Sequence, residues 1–235
     1  MPHEQNDSLY RHESDGSGAP QSALESAQSH LARSSGAGTA GDGGGTQFSS
    51  AFGALLEWGE SRGLIREWSD LPFLHRPRTA FGQEHECWFD EEKGRWWKAT
   101  YANRFGLAWG RDGSATAAEY LTRLLLQNVW FADSIELEAL VNCDRKLRVL
   151  TSQPHIVGEP AEYDEIRRWF AALGFERLDI HDRIAWYRVE GNLLIADAHE
   201  GNLIKTEAGV LVPIDLNILQ PNAAMLAEVQ RFRVA

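Results

Sequence analysis

The chain has 235 residues, 43% of them hydrophobic, and a formal net charge of −11. This length suits one ordinary domain or two small lobes, and the acidic balance argues against direct nucleic-acid binding, which normally requires a basic face. No apolar run approaches the roughly 18 residues of a membrane span, and the start of the chain lacks the basic-then-apolar pattern of a signal peptide, so we expect no membrane partner and a cytoplasmic location.

The N-terminal region is dominated by small and polar residues. Residues 1–47 contain eight of the 21 glycines and no Val, Ile, Trp or Phe. Such a segment has too little apolar surface to offset its chain entropy, so we expect a disordered tail. Residues 48–80 are predicted to form an N-terminal helix and a connector, with the helix capped at Ser49 or Ser50 and ending near Arg62.

Residues 81–151 change repeatedly between the period of a strand and the period of a helix. They predict a first lobe made of a β-hairpin, a helix and a second β-hairpin. The predicted elements are the strands His85–Phe89 and Arg95–Tyr101, a helix Ala115–Phe131 capped by Ser114, and the strands Leu137–Cys143 and Leu147–Thr151.

Residues 152–235 are predicted to form a smaller second lobe that begins with a connector. An amphipathic helix from Glu162 to Leu173 ends before Gly174, a residue type that suits the left-handed position after a helix. Short strands follow at Ala185–Val189, Leu193–Ala196, Leu203–Thr206 and Val210–Ile214. The order of these elements predicts an α+β fold with two lobes.

Three polar residues of the second lobe stand at the ends of short apolar strands. Asp197 follows the strand that ends at Ala196, Asn202 precedes the next strand, and Asp215 follows Val-Pro-Ile. Phosphoryl transfer needs such a set, because one carboxylate orients the acceptor hydroxyl while other oxygen ligands hold Mg²⁺ on the phosphates. Alone, Asp197 could be a turn residue and Asn202 a left-handed cap, but their joint spacing with Asp215 favours the catalytic interpretation.

A zinc protease is an alternative that the same loop raises. His199-Glu200 begins the His-Glu-x-x-His pattern, but position 203 is Leu, so the second histidine ligand is missing. We therefore expect His199 to order the loop by hydrogen bonding rather than to bind a metal.

The loop itself resembles that of a known superfamily. Asp197-x-x-x-x-Asn202 is similar to the catalytic loop of protein kinases, and the fuller Asp197-x-His199-x-Gly201-Asn202 resembles the aminoglycoside and choline phosphotransferase branch. Asp215 lies thirteen residues past Asn202, which is similar to the spacing of the kinase metal-binding aspartate. The resemblance implies that Asp197 is the catalytic base and that Asn202 and Asp215 bind the metal.

The first lobe agrees with this resemblance. Lys98 in Arg-Trp-Trp-Lys-Ala-Thr resembles the kinase lysine that contacts the ATP phosphates, and Glu119 in the next helix resembles its ion-pair partner. Gly82 occupies the place of the glycine-rich loop. Ser152 and Gln153 resemble the hinge whose backbone binds adenine. The implied ligands are therefore ATP and Mg²⁺, bound in a compact two-lobed kinase-like fold.

A narrower resemblance covers roughly residues 80–220. The motifs Gly-x-Glu-His, Trp-Lys-x-Thr, Thr-Ser-Gln-Pro and Asp-Ala-His-x-x-Asn are similar to kinase-like domains in the large polyvalent proteins of phages and plasmids. That setting implies that the domain is part of a larger polyprotein. The sequence departs from kinases in having a single glycine in the loop before Lys98 and Asp215-Leu-Asn in place of Asp-Phe-Gly. In addition, only twenty residues follow Asp215, which predicts a reduced C-terminal lobe.

These observations favour an ATP-dependent phosphotransferase that moves the γ-phosphate to a hydroxyl acceptor, either protein Ser/Thr or a small molecule. The degenerate glycine loop and the short second lobe keep a pseudokinase or nucleotide-binding interaction module as an alternative. Transfer of AMP on the same fold is a third hypothesis, which the sequence does not separate from kinase action.

Overall fold

The structure is a computed structural model, which describes residues 22–36, 44–71, 73–75, 77–106, 115–143, 146–180 and 183–232. The described residues form five α-helices and three β-sheets, which confirms the α+β class. The chain divides into a first unit, residues 1–128 and 132–155, and a second unit, residues 129–131 and 156–235. No helix in the described part of the chain is long and apolar enough to cross a membrane.

The first unit is built on a six-stranded sheet. Its elements in chain order are α1 (Ala23–Gly36), α2 (Gly44–Ser61), β1 (Ile65–Arg66), β2 (Ala80–Phe81), β3 (His85–Asp90), β4 (Arg95–Thr100), α3 (Ala117–Phe131), β5 (Glu136–Cys143) and β6 (Lys146–Pro154). The strand order is β1-β5-β6-β4-β3-β2, and every neighbouring pair is antiparallel except β1 with β5. Both predicted hairpins are present, and β6 extends one residue before and three residues beyond the predicted strand.

The predicted disordered tail is wrong for the part that forms α1. Ser22 and Glu25 form a capping box, in which the Ser22 hydroxyl accepts from the Glu25 N–H and the Glu25 carboxylate accepts from the Ser22 N–H, at 3.2 and 3.0 Å. Leu24, Ala27 and Leu31 recur at helical spacing and are buried in the core of the first unit. The averaged composition of the segment hid this short apolar stripe.

Two faces of the six-stranded sheet pack against different partners, because successive strand residues point to opposite sides. One face packs against the helices, through buried residues that include Leu31, Leu55, Tyr120, Leu121 and Leu140. The opposite face carries Trp88, Trp97, Ala99, Val141 and Leu150, which pack against Leu71 and Phe73 of the connector. The connector predicted within residues 48–80 thus contributes both a strand, β1, and a cover for the sheet.

The second unit contains two small sheets. Its elements are β7 (Glu159–Pro160), α4 (Tyr163–Ala172), β8 (Glu176–Ile180), β9 (Arg183–Arg188), β10 (Leu193–Ala196), β11 (Leu203–Lys205), β12 (Leu211–Pro213), β13 (Asn217–Leu219) and α5 (Ala223–Phe232). The sheet orders are β13-β10-β9-β8 and β12-β11-β7. The core centres on Phe170 of α4, whose ring stacks on Trp186 of β9 at 4.8 Å.

Several predicted boundaries shift. Helix α2 begins at Gly44, before the predicted caps Ser49 and Ser50. Thr116 caps α3 with its side chain, whereas Ser114 lies outside the described residues. Gly174 has a φ of +79° and ends α4 as predicted, while β8, β13 and α5 were not predicted.

Candidate active site

The predicted catalytic loop, residues 197–202, begins where the buried strand β10 ends. Asp197 follows Ala196 directly and has a φ of +60°, a left-handed conformation that aspartate tolerates better than most residues. The Asn202 side-chain N–H₂ donates to the Asp197 carbonyl at 2.8 Å and to Asp197 Oδ2 at 3.2 Å. The two residues that carry the kinase-like spacing therefore hold each other across the loop.

His199 orders the interior of the loop. Its Nδ1 accepts from the Gly201 N–H at 3.0 Å, and its Nε2 lies 3.6 Å from Asp197 Oδ1. A Cβ on residue 201 would stand 2.9 Å from the His199 ring, so this close packing favours glycine there. The Asn202 N–H also donates to the His199 carbonyl at 2.9 Å. The imidazole thus acts as a local loop organiser, as the sequence indicated.

Strand register brings Asp215 to the same end of the sheet as Asp197. Strand β10 pairs antiparallel with β13, with Ala196 opposite Asn217. Asp197 directly follows Ala196, and Asp215 lies two residues before Asn217. Both aspartates therefore lie at the same end of the β10-β13 pair. The Ile214 N–H donates to the Asn202 carbonyl at 2.9 Å, which ties the segment before Asp215 to the loop.

The donor set at this end suits a hard divalent cation. Both hydrogen bonds of the Asn202 amide nitrogen go to oxygen acceptors, which fixes the amide orientation and leaves Oδ1 as the side-chain atom that can bind a metal. With the Asp215 carboxylate, it provides the oxygen chemistry that Mg²⁺ prefers. Within the described ranges, no group of three or more His, Cys, Asp or Glu side chains forms a metal site on its own.

Lys98 lies in the middle of the six-stranded sheet of the first unit. It is on β4, the third strand of the antiparallel run β2-β3-β4, opposite Cys87 of β3 and Thr151 of β6. It is half-buried, on the sheet face that α3 covers. On this face His85 Nε2 hydrogen-bonds the Tyr120 hydroxyl of α3 at 2.9 Å. The strand position thus agrees with that of a kinase phosphate-binding lysine.

A comparison with protein families decides what the chain is similar to. Residues 79–219, more than half of the chain, match the family described as serine/threonine/tyrosine kinase found in polyvalent proteins. The chain belongs to this kinase family. No curated protein and no solved structure matches it. The matched range includes residues 197–202, Asp215 and Lys98, so the resemblance to the kinase-like domains of polyvalent proteins is confirmed.

Glu119, the predicted partner of Lys98, takes part in the capping box of α3. Glu119 is exposed at the third position of α3, where its Oε2 accepts from the Thr116 N–H at 2.7 Å in a capping box. A carboxylate near the end of α3, that of Asp133, has its pKa lowered in part by the positive charge of Lys98. Sequence analysis missed Asp133, although an aspartate two residues beyond a helix end was a detectable signal.

Asp133 is held by buried glutamines. Its Oδ2 accepts from Gln127 Nε2 at 2.7 Å and from Gln153 Nε2 at 2.5 Å, and its Oδ1 accepts from the Ser134 N–H at 2.8 Å. Burial raises the pKa of the Asp133 carboxyl above its ordinary value. The hydrogen bonds and the positive charge of Lys98 lower that pKa and so oppose part of the rise.

The two predicted hinge residues of this kinase-family chain lie inside the sheet. Ser152 pairs with Trp97 of β4 on one side and Glu136 of β5 on the other. Its hydroxyl donates to Glu138 and accepts from Arg95 Nε. The Gln153 side chain is bound to Asp133, and strand β6 continues to Pro154. The boundary between the two units follows at His155.

Gly82 lies in the tight connection between β2 and β3. Its N–H donates to the His85 carbonyl at 2.9 Å, and its carbonyl accepts from the Tyr101 hydroxyl at 3.2 Å. Nothing lies within 4 Å of the position that a Cβ would take on Gly82. The connection therefore has open space at the position that a side chain on residue 82 would take.

Aromatic side chains stand beside Lys98 on the same sheet face. Trp96 is two residues before Lys98 and opposite Phe89, with ring centroids 5.1 Å apart. Trp96 Nε1 donates to Nδ1 of His155 at 3.0 Å, and the Phe89 and His155 rings are 4.9 Å apart. We call Phe89, Trp96 and His155 the aromatic trio. Trp97 points to the opposite face and is buried in the core.

Proposed function

We propose that this kinase-family protein is an Mg²⁺- and ATP-dependent phosphotransferase that moves the γ-phosphate of ATP to a hydroxyl group. The observation that carries the proposal is the convergence of Asp197, Asn202 and Asp215 at one end of the β10-β13 pair. A kinase-like reaction needs one carboxylate for the acceptor and separate oxygen ligands for the metal.

Asp197 is the proposed base. Its side chain is 64% exposed, so an incoming hydroxyl can reach it. Asn202 and His199 fix its orientation by contacting different carboxylate oxygens. The carboxylate accepts the hydrogen of the acceptor hydroxyl, the hydroxyl oxygen bonds to the γ-phosphorus, and the bond from that phosphorus to the ADP oxygen breaks. Positioning and electrostatic stabilisation supply most of the rate in such transfers.

Asn202 Oδ1 and the Asp215 carboxylate are the proposed ligands of Mg²⁺. When bound, the ion neutralises charge on the β- and γ-phosphate oxygens. The Ile214 hydrogen bond to Asn202 couples the two ligand-bearing segments, so this chain positions both by backbone contacts before any ligand arrives.

Lys98 and the aromatic trio are the proposed nucleotide contacts of the first unit. Lys98 binds the phosphates as a point charge. Trp96 stands two strand residues away, about 7 Å along the same face, and offers a ring on which the adenine can stack. Ser152 lies between two strands, so its backbone is already used in the sheet. We therefore propose that the adenine ring binds near His155, after the end of β6, rather than at the Ser152 backbone.

For the acceptor, we propose a protein hydroxyl. The family description names serine, threonine and tyrosine, which favours a protein target over the small-molecule branch suggested by the His199 loop. The same description motivates the proposal that the domain functions within a larger polyvalent protein. The cytoplasmic location stays a prediction.

The test is incubation with Mg²⁺ and ATP labelled at the γ-phosphate, with a mixture of Ser-, Thr- and Tyr-containing peptides as acceptor. We expect label transfer by the wild type and a loss of at least about 100-fold in Asp215→Ala, because a metal ligand is removed. Glu207→Ala is the matched control, since Glu207 is an exposed carboxylate in the β11-β12 turn, and it should retain full activity.

Two results would contradict the proposal. Equal transfer by Asp215→Ala would remove the metal site from the mechanism. No transfer by the wild type, with ATP still bound, would favour the pseudokinase; ATP labelled at the α-phosphate would then detect AMP transfer.

A further inference from the structure

The connection between β2 and β3, residues 82–84, is bound to α3 by an ion pair. Arg123 Nη1 donates to Glu84 Oε1 at 3.2 Å, and Arg123 Nη2 donates to Glu84 Oε2 at 2.6 Å. Each carboxylate oxygen thus receives its own hydrogen bond from the planar guanidinium, which is a strong and directional arrangement. The Arg123 side chain is 7% exposed and the Glu84 side chain 25% exposed. Solvent and salt therefore screen this pair less than they screen a surface pair.

The residue after Glu84 binds the same face of α3. His85 is buried, and its Nε2 forms a hydrogen bond with the Tyr120 hydroxyl at 2.9 Å. Tyr120 and Arg123 are three residues apart in the helix and therefore lie on one side of it, and the Arg123 guanidinium lies 5.1 Å from the centre of the Tyr120 ring. The Glu-His pair of the motif Gly-x-Glu-His thus connects the start of β3 to one helix face.

The Glu84 carboxylate also packs closely against Gly106, which lies between β4 and α3. A Cβ on residue 106 would stand 2.1 Å from Glu84 Oε1, and Gly106 has a φ of +84°, so both the space and the backbone favour glycine. The Gly106 carbonyl accepts from the Ala115 N–H at 2.8 Å, one residue before the Thr116 cap of α3. The carboxylate therefore contacts the helix and the backbone that precedes it.

The strand register places this connection beyond Lys98 on the side away from Trp96. Alternate residues of a strand share one face at a spacing of about 7 Å. Three cross-strand pairs of β3 and β4 follow one another on the face that α3 covers: Phe89 with Trp96, Cys87 with Lys98, and His85 with Thr100. A nucleotide whose base stacks on Trp96 and whose phosphates reach Lys98 therefore extends toward residues 82–84.

We propose that Glu84 and Arg123 are positioning residues for ATP, because their ion pair fixes the β2–β3 connection at the phosphate end of the nucleotide. They act through the backbone of residues 82–84 rather than by touching the reacting atoms. The assignment rests on the proposed function for the identity of the nucleotide. A connection that is held in place before ATP arrives does not have to be ordered on binding, so loosening the pair should weaken ATP binding.

The test is isothermal titration calorimetry with ATP and Mg²⁺ on the whole chain. Glu84→Gln keeps the shape of the side chain but removes its charge and one acceptor oxygen, and the Kd for ATP should rise about five- to tenfold. Arg123→Met should raise the Kd by a similar factor. The double variant Glu84→Gln/Arg123→Met should bind ATP no more weakly than the weaker single variant, because both changes remove the same interaction.

Glu86→Gln is the matched control, two residues along β3. The Glu86 carboxylate accepts hydrogen bonds from Arg78 and Arg148, and the Arg148 guanidinium lies over the Trp68 ring at 3.6 Å. Trp68 packs against the core on the opposite face of the sheet. Loss of this carboxylate should lower the melting temperature, as Glu84→Gln also should, but it should leave the Kd for ATP within about twofold. A merely structural role of Glu84 would not produce this difference between the two variants.

Circular dichroism shows whether each variant is folded. If Glu84→Gln does not fold, Arg123→Lys keeps the positive charge but loses the paired hydrogen bonds, and a rise in Kd of about threefold is expected. An unchanged Kd in the folded variant would overturn the proposal, as would an equal rise in Glu86→Gln or additive effects in the double variant.

The outcomes also separate this proposal from the proposed function. A wild type that binds ATP without transferring phosphate, together with weaker binding by Glu84→Gln, would reject the proposed function and retain the positioning role. Phosphotransfer by the wild type, with an unchanged Kd in Glu84→Gln, would retain the function and reject the positioning role. A wild type that binds no ATP would overturn both.

Discussion

Two carboxylates in this protein have opposite surroundings. Asp133 of the first unit accepts hydrogen bonds from two buried glutamines, and its pKa is raised by burial. Asp197 of the second unit is 64% exposed and is held by Asn202 and His199 at the end of β10. Exposure makes Asp197 accessible to an acceptor, while burial makes Asp133 part of the fold. Changes at the two sites should therefore separate activity from stability.

The largest expected effect is at Asp197. Asn has the same shape and tolerates the left-handed backbone of residue 197, so Asp197→Asn should keep its melting temperature within about 1 °C, since surface changes cost little. Phosphotransfer should fall about 10²- to 10⁴-fold, the usual contribution of a general base. Steady-state kinetics with labelled ATP and a thermal melt measure the two quantities. Activity close to that of the wild type would remove Asp197 from the reaction.

The next effect separates neighbouring tryptophans of one strand. Trp96→Ala should weaken ATP binding about tenfold, because stacking of a base on an aromatic ring contributes roughly 1–3 kcal/mol. Trp97→Ala should instead lower the free energy of unfolding by about 3–5 kcal/mol, because Trp97 is in the core. Isothermal titration calorimetry and urea unfolding provide the two measurements. An unaltered ATP affinity in Trp96→Ala would argue against the stacking surface.

A smaller effect concerns the pH dependence of stability at Asp133. Its pKa is raised in the folded protein, so the unfolded chain releases this proton first as the pH rises. The free energy of unfolding of the wild type should therefore decline as the pH rises from the pKa of the unfolded state, about 3.9, to the higher pKa of the folded state. The difference between wild type and Asp133→Asn, measured by urea unfolding from pH 3.5 to 7, should show this decline. If the free energy of unfolding of the wild type instead rose relative to that of Asp133→Asn as the pH increased, the prediction would be wrong.

The smallest effect is expected at the surface pair Glu165–Lys205, whose carboxylate oxygen and ammonium nitrogen are 2.5 Å apart. The hydrogen bond from Lys205 lowers the pKa of Glu165, so the pair stabilises the fold above about pH 4.3 and this contribution is lost as the pH falls through the lower folded pKa. Glu165→Gln should leave the activity unchanged. It should change the melting temperature at pH 7 by no more than about 2 °C. A larger fall in melting temperature would show that the stability of the segment after the predicted catalytic loop depends on this pair.

The sequence predicted the site of the second unit better than that of the first. Asp197, Asn202 and Asp215 lie within nineteen residues, separated by one short hairpin, so local patterns determine their proximity. In the first unit, Lys98 and Asp133 are separated by α3, and only the pairing of β4 with β6 brings Gln153 and Asp133 to the face of Lys98. Glu119 was predicted from its spacing from Lys98, and its carboxylate accepts from the Thr116 N–H in the capping box of α3.

By itself, the sequence determined the α+β class, the two hairpins, helix α4 with its glycine end, and the kinase family. These features depend on periodicity, turn residues and short motifs, which act over a few neighbouring residues. The tertiary structure alone decided that α1 is ordered, that β6 extends through the predicted hinge, and that Asp133 is held by two buried glutamines. Each depends on contacts between residues distant in the chain, where burial against a partner outweighs composition and local spacing.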